Sequence, residues 1–155
     1  LAQRAEKVIA VDISEKMVAF GQQLARDHDL PNLEFRIGEI EAPPIGDAEV
    51  DLALLSQALH HAGHPPRALA EAFRILRPGG RLVILDLLQH SFEEARDLYA
   101  DRWLGFSEAE LAGMHADAGF HEIETAIVDR EPDPPRFTTL LGIAVKPPHS
   151  TSTRS

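Results

Sequence analysis

The feature that most constrains the fold is a regular alternation of short apolar runs with longer amphipathic stretches. Residues 8–11, 50–55 and 82–87 are apolar almost throughout, which is typical of buried strands in a parallel sheet. Between them, apolar residues recur every three or four positions, which indicates helices. Strands that alternate with helices predict a parallel α/β sheet with helices on both faces.

The stretch after the first apolar run has the pattern of a helix. Ser14 is a candidate N-cap residue, and the turn-forming residues 30–32 are a candidate end. Met17, Phe20 and Leu24 recur at helical spacing, and we expect them to face the core.

Later helices are also marked by the residues at their ends. Pro65 can open a helix that ends before the turn at residues 77–80, where glycines permit a positive φ. A second helix is expected over residues 91–103. A third should open at Ser107, which forms a capping-box pattern with Glu110.

The C-terminal part of the chain departs from the alternation of strands and helices. Residues 33–37 still follow the strand pattern, but the strands expected at residues 121–128 and 138–146 have no helix between them. They should therefore form an antiparallel hairpin. We expect one domain over residues 1–147, followed by a disordered polar tail at residues 148–155.

Composition excludes several classes of protein. The net charge of −10 should repel phosphate backbones, so we expect no nucleic-acid binding through this segment. The chain has no cysteine, hence no disulfide, thiolate nucleophile or cysteine-based zinc site. No apolar run is long enough to cross a membrane, and charges at Arg4, Glu6 and Lys7 do not fit a signal peptide. A cytoplasmic protein is expected.

Four segments carry a resemblance to a known family: VIAVDIS at residues 8–14, FRIGEI at 35–40, SQALHH at 56–61 and RILRPGGRL at 74–82. In this order and spacing they resemble class I S-adenosylmethionine-dependent methyltransferases of the ubiquinone/menaquinone-methyltransferase-like type. The resemblance implies methyl transfer from S-adenosylmethionine to a small-molecule acceptor.

The resemblance also implies a Rossmann-like methyltransferase sheet, mostly parallel, with a C-terminal antiparallel hairpin. It predicts strand 8–11 beside 33–37, strand 50–55 beside 82–87, and strand 138–146 antiparallel between 82–87 and 121–128. It further implies that the chain is truncated at its N-terminus and lacks the first strand with its Gly-x-Gly loop.

Asp86, His90 and residues 101–107 resemble the methyltransferase half of arsenic-repressor-type regulators that are fused to a methyltransferase. This similarity implies a DNA-binding domain upstream of Leu1. It leaves an alternative function open, a non-catalytic domain that binds an effector or S-adenosylmethionine for a transcriptional regulator. A nicotinamide dehydrogenase is a third alternative, because dehydrogenases also place an acid at the position of Asp12.

The resemblance implies eight cofactor-binding residues. Asp12 ends a predicted strand, where a carboxylate can accept hydrogen bonds from both ribose hydroxyls. Glu39 is assigned to the adenine amine, although an aspartate is commoner there, and the backbone N–H of Ile40 to the adenine ring. Met17 could pack on the adenine or belong to the helix core. The set is completed by Ile13, Gly38, Ser56 and Gln57.

Histidines follow two of the predicted strands. His60 and His61 follow strand 50–55 and could orient a substrate, accept its proton, or simply pack at a helix start. His90, which follows strand 82–87, is a further candidate for substrate contact. A zinc site formed by His60, His61 and His64 is disfavoured, because adjacent histidines rarely bind one metal from one helix face. We therefore assign no metal.

Overall fold

The strands form two separate sheets that belong to two compact units of the chain. The structure, a computed structural model, describes residues 1–148. The first unit is Leu1–Pro44 and the second is Ile45–Ser155. The predicted tail at residues 148–155 lies, apart from Pro148, outside the described residues.

The first unit is a strand–helix–strand motif: β1 (Val8–Asp12), α1 (Glu15–Asp27) and β2 (Leu33–Ile37). The two strands are parallel and in register from Val8 opposite Leu33 to Asp12 opposite Ile37, which confirms the predicted pairing. Ser14 caps α1 as predicted, because its Oγ accepts a hydrogen bond from the Met17 backbone N–H at 3.3 Å.

The prediction for the buried face of α1 was wrong. Met17, Phe20 and Leu24 are 54, 60 and 40% exposed. The buried residues are Val18, Gly21 and Ala25, which have the same spacing of three and four. The packing decides between these two faces, since Gly21 lies directly against the Phe35 ring with no room for a Cβ atom.

The second unit contains a four-stranded mixed sheet built from β3 (Val50–Ser56), β4 (Leu76–Leu87), β5 (His121–Arg130) and β6 (Thr138–Val145). The strand order is β3-β4-β6-β5. β3 is parallel to β4, and β6 is antiparallel to both β4 and β5. These pairings confirm the predicted fold, an α/β sheet with a C-terminal antiparallel hairpin.

β3 is less buried than its apolar sequence predicted. Ala53 and Leu55 are buried, whereas Leu52 and Leu54 are 47 and 43% exposed. β3 is an edge strand of its sheet, and only one of its two faces is covered within the structure. The apolar run therefore predicted the strand correctly but overestimated its burial.

The helices of the second unit are α2 (Pro65–Ile75), α3 (Ala95–Leu98) and α4 (Glu108–Asp117). The capping box of α4 is formed as predicted: the Glu110 carboxylate accepts from the Ser107 N–H at 2.7 Å, and Ser107 Oγ accepts from the Glu110 N–H at 3.1 Å. Within residues 1–148, no helix combines the length and apolar character needed to cross a bilayer.

The predicted helix over residues 91–103 was wrong in extent, because only the single turn of α3 forms there. The backbone of this segment bonds to distant partners instead. The N–H groups of Arg102 and Trp103 both donate to the His60 carbonyl, at 3.1 and 3.0 Å, and the His90 N–H donates to the Leu104 carbonyl at 2.9 Å. These long-range bonds replace the i to i−4 bonds of a helix.

Candidate active site

In the first unit, Asp12 is held in place at the carboxyl end of β1. Its Oδ1 accepts a hydrogen bond from the Ser14 N–H at 2.7 Å, and its backbone carbonyl accepts from the Gly38 N–H at 3.0 Å. The side chain is half-buried. A fixed carboxylate at the carboxyl end of parallel strands is placed where sheets of this kind bind ligands.

The other residues predicted to bind the cofactor in the first unit follow the ends of β1 and β2. Ile13 and Met17 are 68 and 54% exposed, so each offers an apolar surface close in sequence to the carboxylate. Gly38 has no room for a side chain, because a Cβ atom would lie 2.5 Å from Pro44 Cδ. Glu39 is exposed in a short turn, closed by a 3.1 Å hydrogen bond from the Ala42 N–H to the Glu39 carbonyl.

In the second unit, the chain leaves β3 through a turn with unusual backbone geometry. Ser56 ends the strand and is exposed, and Gln57 has φ +54°, in the left-handed region. The Gln57 N–H donates to the Leu85 carbonyl at 2.7 Å. This bond ties the end of β3 to β4 and starts the 3-10 turn Leu59–His61.

Asp86 anchors that turn from the end of β4. Its carboxylate is fully buried, and it accepts hydrogen bonds from the N–H groups of Leu59 at 2.9 Å, His60 at 3.3 Å and Leu87 at 2.7 Å. It also lies 2.8 Å from His60 Nδ1. A carboxylate accepts, so Nδ1 donates to Asp86, and the lone pair of neutral His60 is on Nε2.

Asp101 lies on the other side of the His60 ring. Its Oδ1 is 3.5 Å from His60 Nε2 and 3.7 Å from His61 Nδ1. The Asp101 side chain is only 2% exposed, and Oδ1 has no hydrogen-bond partner among the described residues. The bonds from Arg102 and Trp103 to the His60 carbonyl bring Asp101 to this position.

The two adjacent histidines differ in exposure. The side chain of His60 is 6% exposed and that of His61 is 44% exposed. His61 Nδ1 is 3.2 Å from the Ala100 carbonyl oxygen, and the two ring centroids are 4.0 Å apart. His60 is therefore fixed by its neighbours, whereas His61 can be reached from solvent.

His90 is half-buried and has one ring nitrogen without a partner. Its Nδ1 accepts from the Phe92 N–H at 3.2 Å, so Nε2 carries the hydrogen, and this buried Nε2 has no hydrogen-bond partner among the described residues. Burial lowers the pKa of His90, and the charge of Asp101 opposes that shift. The neutral ring therefore keeps a buried N–H donor that no described group accepts.

An aromatic cluster surrounds His90. The Phe137 ring centroid is 4.7 Å from that of His90, 6.1 Å from that of Phe92 and 6.2 Å from that of Tyr99. An open cleft of about 480 Å³ is lined by Ser91, Phe92, Pro134 and Pro135. Its volume is in the range of small-molecule sites.

Comparison with known proteins agrees with the fold. The family described as "Methyltransferase domain" matches residues 1–84, which is more than half of the chain. The chain belongs to this methyltransferase family. S-adenosylmethionine is the cofactor of the family.

Two curated methyltransferases are similar to this chain. An arsenite methyltransferase from Halobacterium salinarum is 30% identical over 128 residues, covering 79% of this chain and 33% of that protein. A ubiquinone/menaquinone biosynthesis C-methyltransferase from Dinoroseobacter shibae is 37% identical over 103 residues, covering 64% of this chain and 41% of that protein. The chain thus spans less than half the length of either relative.

Among solved structures, a chain of the complex between the Haloferax volcanii Trm112 methyltransferase activator and a methyltransferase is 26% identical. The match covers 92% of this chain and 73% of that chain, with a TM-score of 0.74.

The family match ends at residue 84, so Asp86, His90 and Asp101 lie beyond it. In the sequence, Asp86 and Asp101 belong to the segments that resemble the arsenic-repressor-type fusions. Neither was predicted as a site residue.

Proposed function

We propose that the protein transfers a methyl group from S-adenosylmethionine to a small-molecule acceptor. The observation that carries this proposal is the buried His60–Asp86 pair at the carboxyl ends of the parallel strands β3 and β4. Open α/β sheets bind ligands at this edge. Membership of the methyltransferase family supplies the class of reaction.

In the first unit, we assign Asp12 to the ribose hydroxyls, because its carboxylate is fixed and half-buried at a strand end. Ile13 and Met17 offer apolar contact to the adenine. Glu39 and the backbone of Gly38 and Ile40 are assigned to the adenine edge. In the second unit, Ser56 and Gln57 are assigned to the methionine part of the cofactor.

The acceptor is assigned to the surroundings of His90. The unpaired Nε2–H of His90 can donate a hydrogen bond to an acceptor oxygen, and the aromatic rings of Phe92, Tyr99 and Phe137 suit a planar or apolar molecule. His60 and His61 follow β3, and His90 follows its parallel neighbour β4. A sulfonium is already a good leaving group, so these residues chiefly align the acceptor and exclude water.

The test is transfer of a labelled methyl group by the full-length protein. The acceptor panel contains a phenolic quinone precursor, arsenite and a primary amine, so that the acceptors named for the relatives are both represented. We expect transfer to one class, with kcat/KM at least about 10-fold lower in His90→Gln. His121→Gln, at the start of β5, is the matched control and should retain activity.

A protein that binds S-adenosylmethionine tightly and methylates no member of a broadened acceptor panel would contradict this proposal. That result would favour the non-catalytic binding domain. Loss of activity in both histidine variants would point to a general effect on folding, and thermal melting of each variant separates that case.

A further inference from the structure

His60, His61 and Asp101 form a compact group, which we call the His–His–Asp cluster. One potential ligand atom from each residue lies within 4.8 Å of the others. Two members, His60 and Asp101, are buried. The structure thus gathers two imidazoles and a carboxylate from segments that are about 40 residues apart in the chain.

When His60 is neutral, two hydrogen-bond acceptors of the cluster face each other. His60 Nδ1 donates to Asp86, so the lone pair of Nε2 faces Asp101 Oδ1 at 3.5 Å. Both atoms are acceptors, and Oδ1 is buried without a donor. A buried carboxylate without a partner is strongly unfavourable. A cation between the two atoms, either a proton or a metal ion, resolves the conflict.

The distances favour a metal ion over a proton. Hydrogen bonds from N–H to O are about 2.7–3.2 Å long, whereas the two contacts to Asp101 Oδ1 are 3.5 and 3.7 Å. Bonds of about 2.0–2.2 Å to a tetrahedral zinc ion place neighbouring ligand atoms about 3.3–3.6 Å apart. The first contact lies within that range and the second is close to it.

We propose that the cluster binds a divalent transition-metal ion of the zinc type through His60 Nε2, His61 Nδ1 and Asp101 Oδ1. Two imidazoles and one carboxylate suit zinc and its first-row neighbours, whereas calcium and magnesium take oxygen ligands. His61 Nδ1 gives up its 3.2 Å contact with the Ala100 carbonyl on binding the ion.

The surroundings of the cluster match those of known metal sites. Metal-binding histidines usually donate their second ring N–H to a carboxylate, which is the relation between His60 and Asp86. Three protein ligands leave a fourth position free, as in catalytic zinc sites. His61, whose side chain is 44% exposed, gives that position access to solvent. The adjacent histidines lie in a 3-10 turn rather than on an α-helix, and both have a ring nitrogen near Asp101, which takes the place that the disfavoured zinc set gave to His64.

The test is metal binding by the full-length protein after chelator treatment and dialysis. Zinc is titrated by calorimetry and cobalt(II) by visible absorption, since the d–d bands of cobalt(II) report the number and geometry of its ligands. We expect about one ion per chain, with affinity at least about 10-fold lower in Asp101→Asn, which keeps the shape of the side chain. His64→Gln is the control for adventitious binding by histidine and should bind like the wild type.

Equal zinc affinity of the wild type and Asp101→Asn would overturn the proposal. So would histidine nitrogen NMR spectra in which both ring nitrogens of His60 remain protonated at saturating zinc, because the cation is then a proton. Should Asp101→Asn fail to fold, the wild-type cobalt spectrum and the His60 nitrogen shifts still show whether the cluster binds a metal ion or a proton. These readouts do not depend on methyl transfer, so the metal site and the proposed activity can fail separately.

Discussion

At the scale of single residues, four polar side chains are buried among the described residues of the second unit: His60, Asp86, Asp101 and His115. Asp86 is satisfied by backbone N–H groups and by His60, whereas Asp101 Oδ1 and His115 Nε2 have no partner among the described residues. A buried polar group without a partner costs free energy unless a ligand or a proton satisfies it.

We expect Asp12→Ala in the full-length protein to weaken binding of S-adenosylmethionine by about 1–3 kcal/mol, the cost of leaving ribose hydroxyls unpaired. Calorimetry measures the affinity. Asp12→Asn is the matched variant, because its amide oxygen can still accept from the Ser14 N–H and preserve the start of α1. Unchanged affinity in Asp12→Ala would remove this residue from the cofactor site.

His115 should make the protein less stable in acid. Its Nδ1–H donates to the Leu111 carbonyl at 2.7 Å, and burial lowers the pKa of the ring below the ordinary value of 6.5. The unfolded state therefore binds the proton more readily, so protonation favours unfolding. The stability that depends on a neutral His115 is fully present above pH 6.5 and is lost as the pH falls below it.

Urea unfolding at several pH values tests this expectation. The free energy of unfolding should fall between pH 7 and 5 by up to about 1.4 kcal/mol per pH unit from this residue, and the fall should be smaller in His115→Gln. The exposed His28→Gln is the control. Identical pH dependence in the wild type and His115→Gln would show that His115 makes no such contribution.

At the scale of elements, close approaches by glycines decide which surfaces meet. Gly21 brings α1 against Phe35, and Gly142 brings β6 against α4, where an added Cβ would lie 2.8 Å from both His115 Cε1 and Leu111 Cδ2. Gly113 on α4, by contrast, faces open space. Replacing glycine by alanine should therefore have opposite effects on the stability of the protein at Gly142 and at Gly113.

We expect Gly142→Ala to destabilise the protein by about 1–3 kcal/mol, because the methyl group overpacks the contact between β6 and α4. Gly113→Ala should stabilise it by about 0.5–1 kcal/mol through helix propensity. Thermal melting of both variants provides the comparison. A stabilised Gly142→Ala variant would mean that α4 and β6 are less tightly packed than the structure shows.

At the scale of the whole molecule, the chain is strongly acidic: 15 basic and 25 acidic residues give a net charge of −10. A net negative charge of this size disfavours binding to phosphate backbones. The exposed histidine and aromatic side chains near the proposed acceptor site do not offset this negative charge, because neutral groups release no counterions on binding.

We therefore expect residues 1–155 to leave a fluorescently labelled DNA duplex unbound at physiological salt, as measured by anisotropy. Lowering the salt concentration should not produce binding, since attraction between the two is absent. Salt-sensitive binding in the micromolar range would reveal a basic surface that the net charge conceals.

The sequence by itself determined the order of strands and helices and the residues that cap them. Ser14 and the Ser107–Glu110 pair act within their own helical turns, and apolar runs mark strands wherever they occur, so these signals need no distant partner. The parallel and antiparallel pairings also followed from the chain, because the order of elements resembled a known family. Asp12, His60 and His90 were predicted as site residues because each follows a predicted strand, and their roles remain predictions.

Only the tertiary structure decided which of two equally spaced faces of α1 is buried, and that residues 91–103 contain the single turn of α3 rather than a long helix. The first depended on how closely Gly21 approaches Phe35, and the second on bonds from Arg102 and Trp103 to His60. The same bonds place Asp101 beside His60, some 40 residues away in the chain. Periodicity and capping describe interactions within a few residues, so they cannot reveal a contact that exists only after distant segments have packed together.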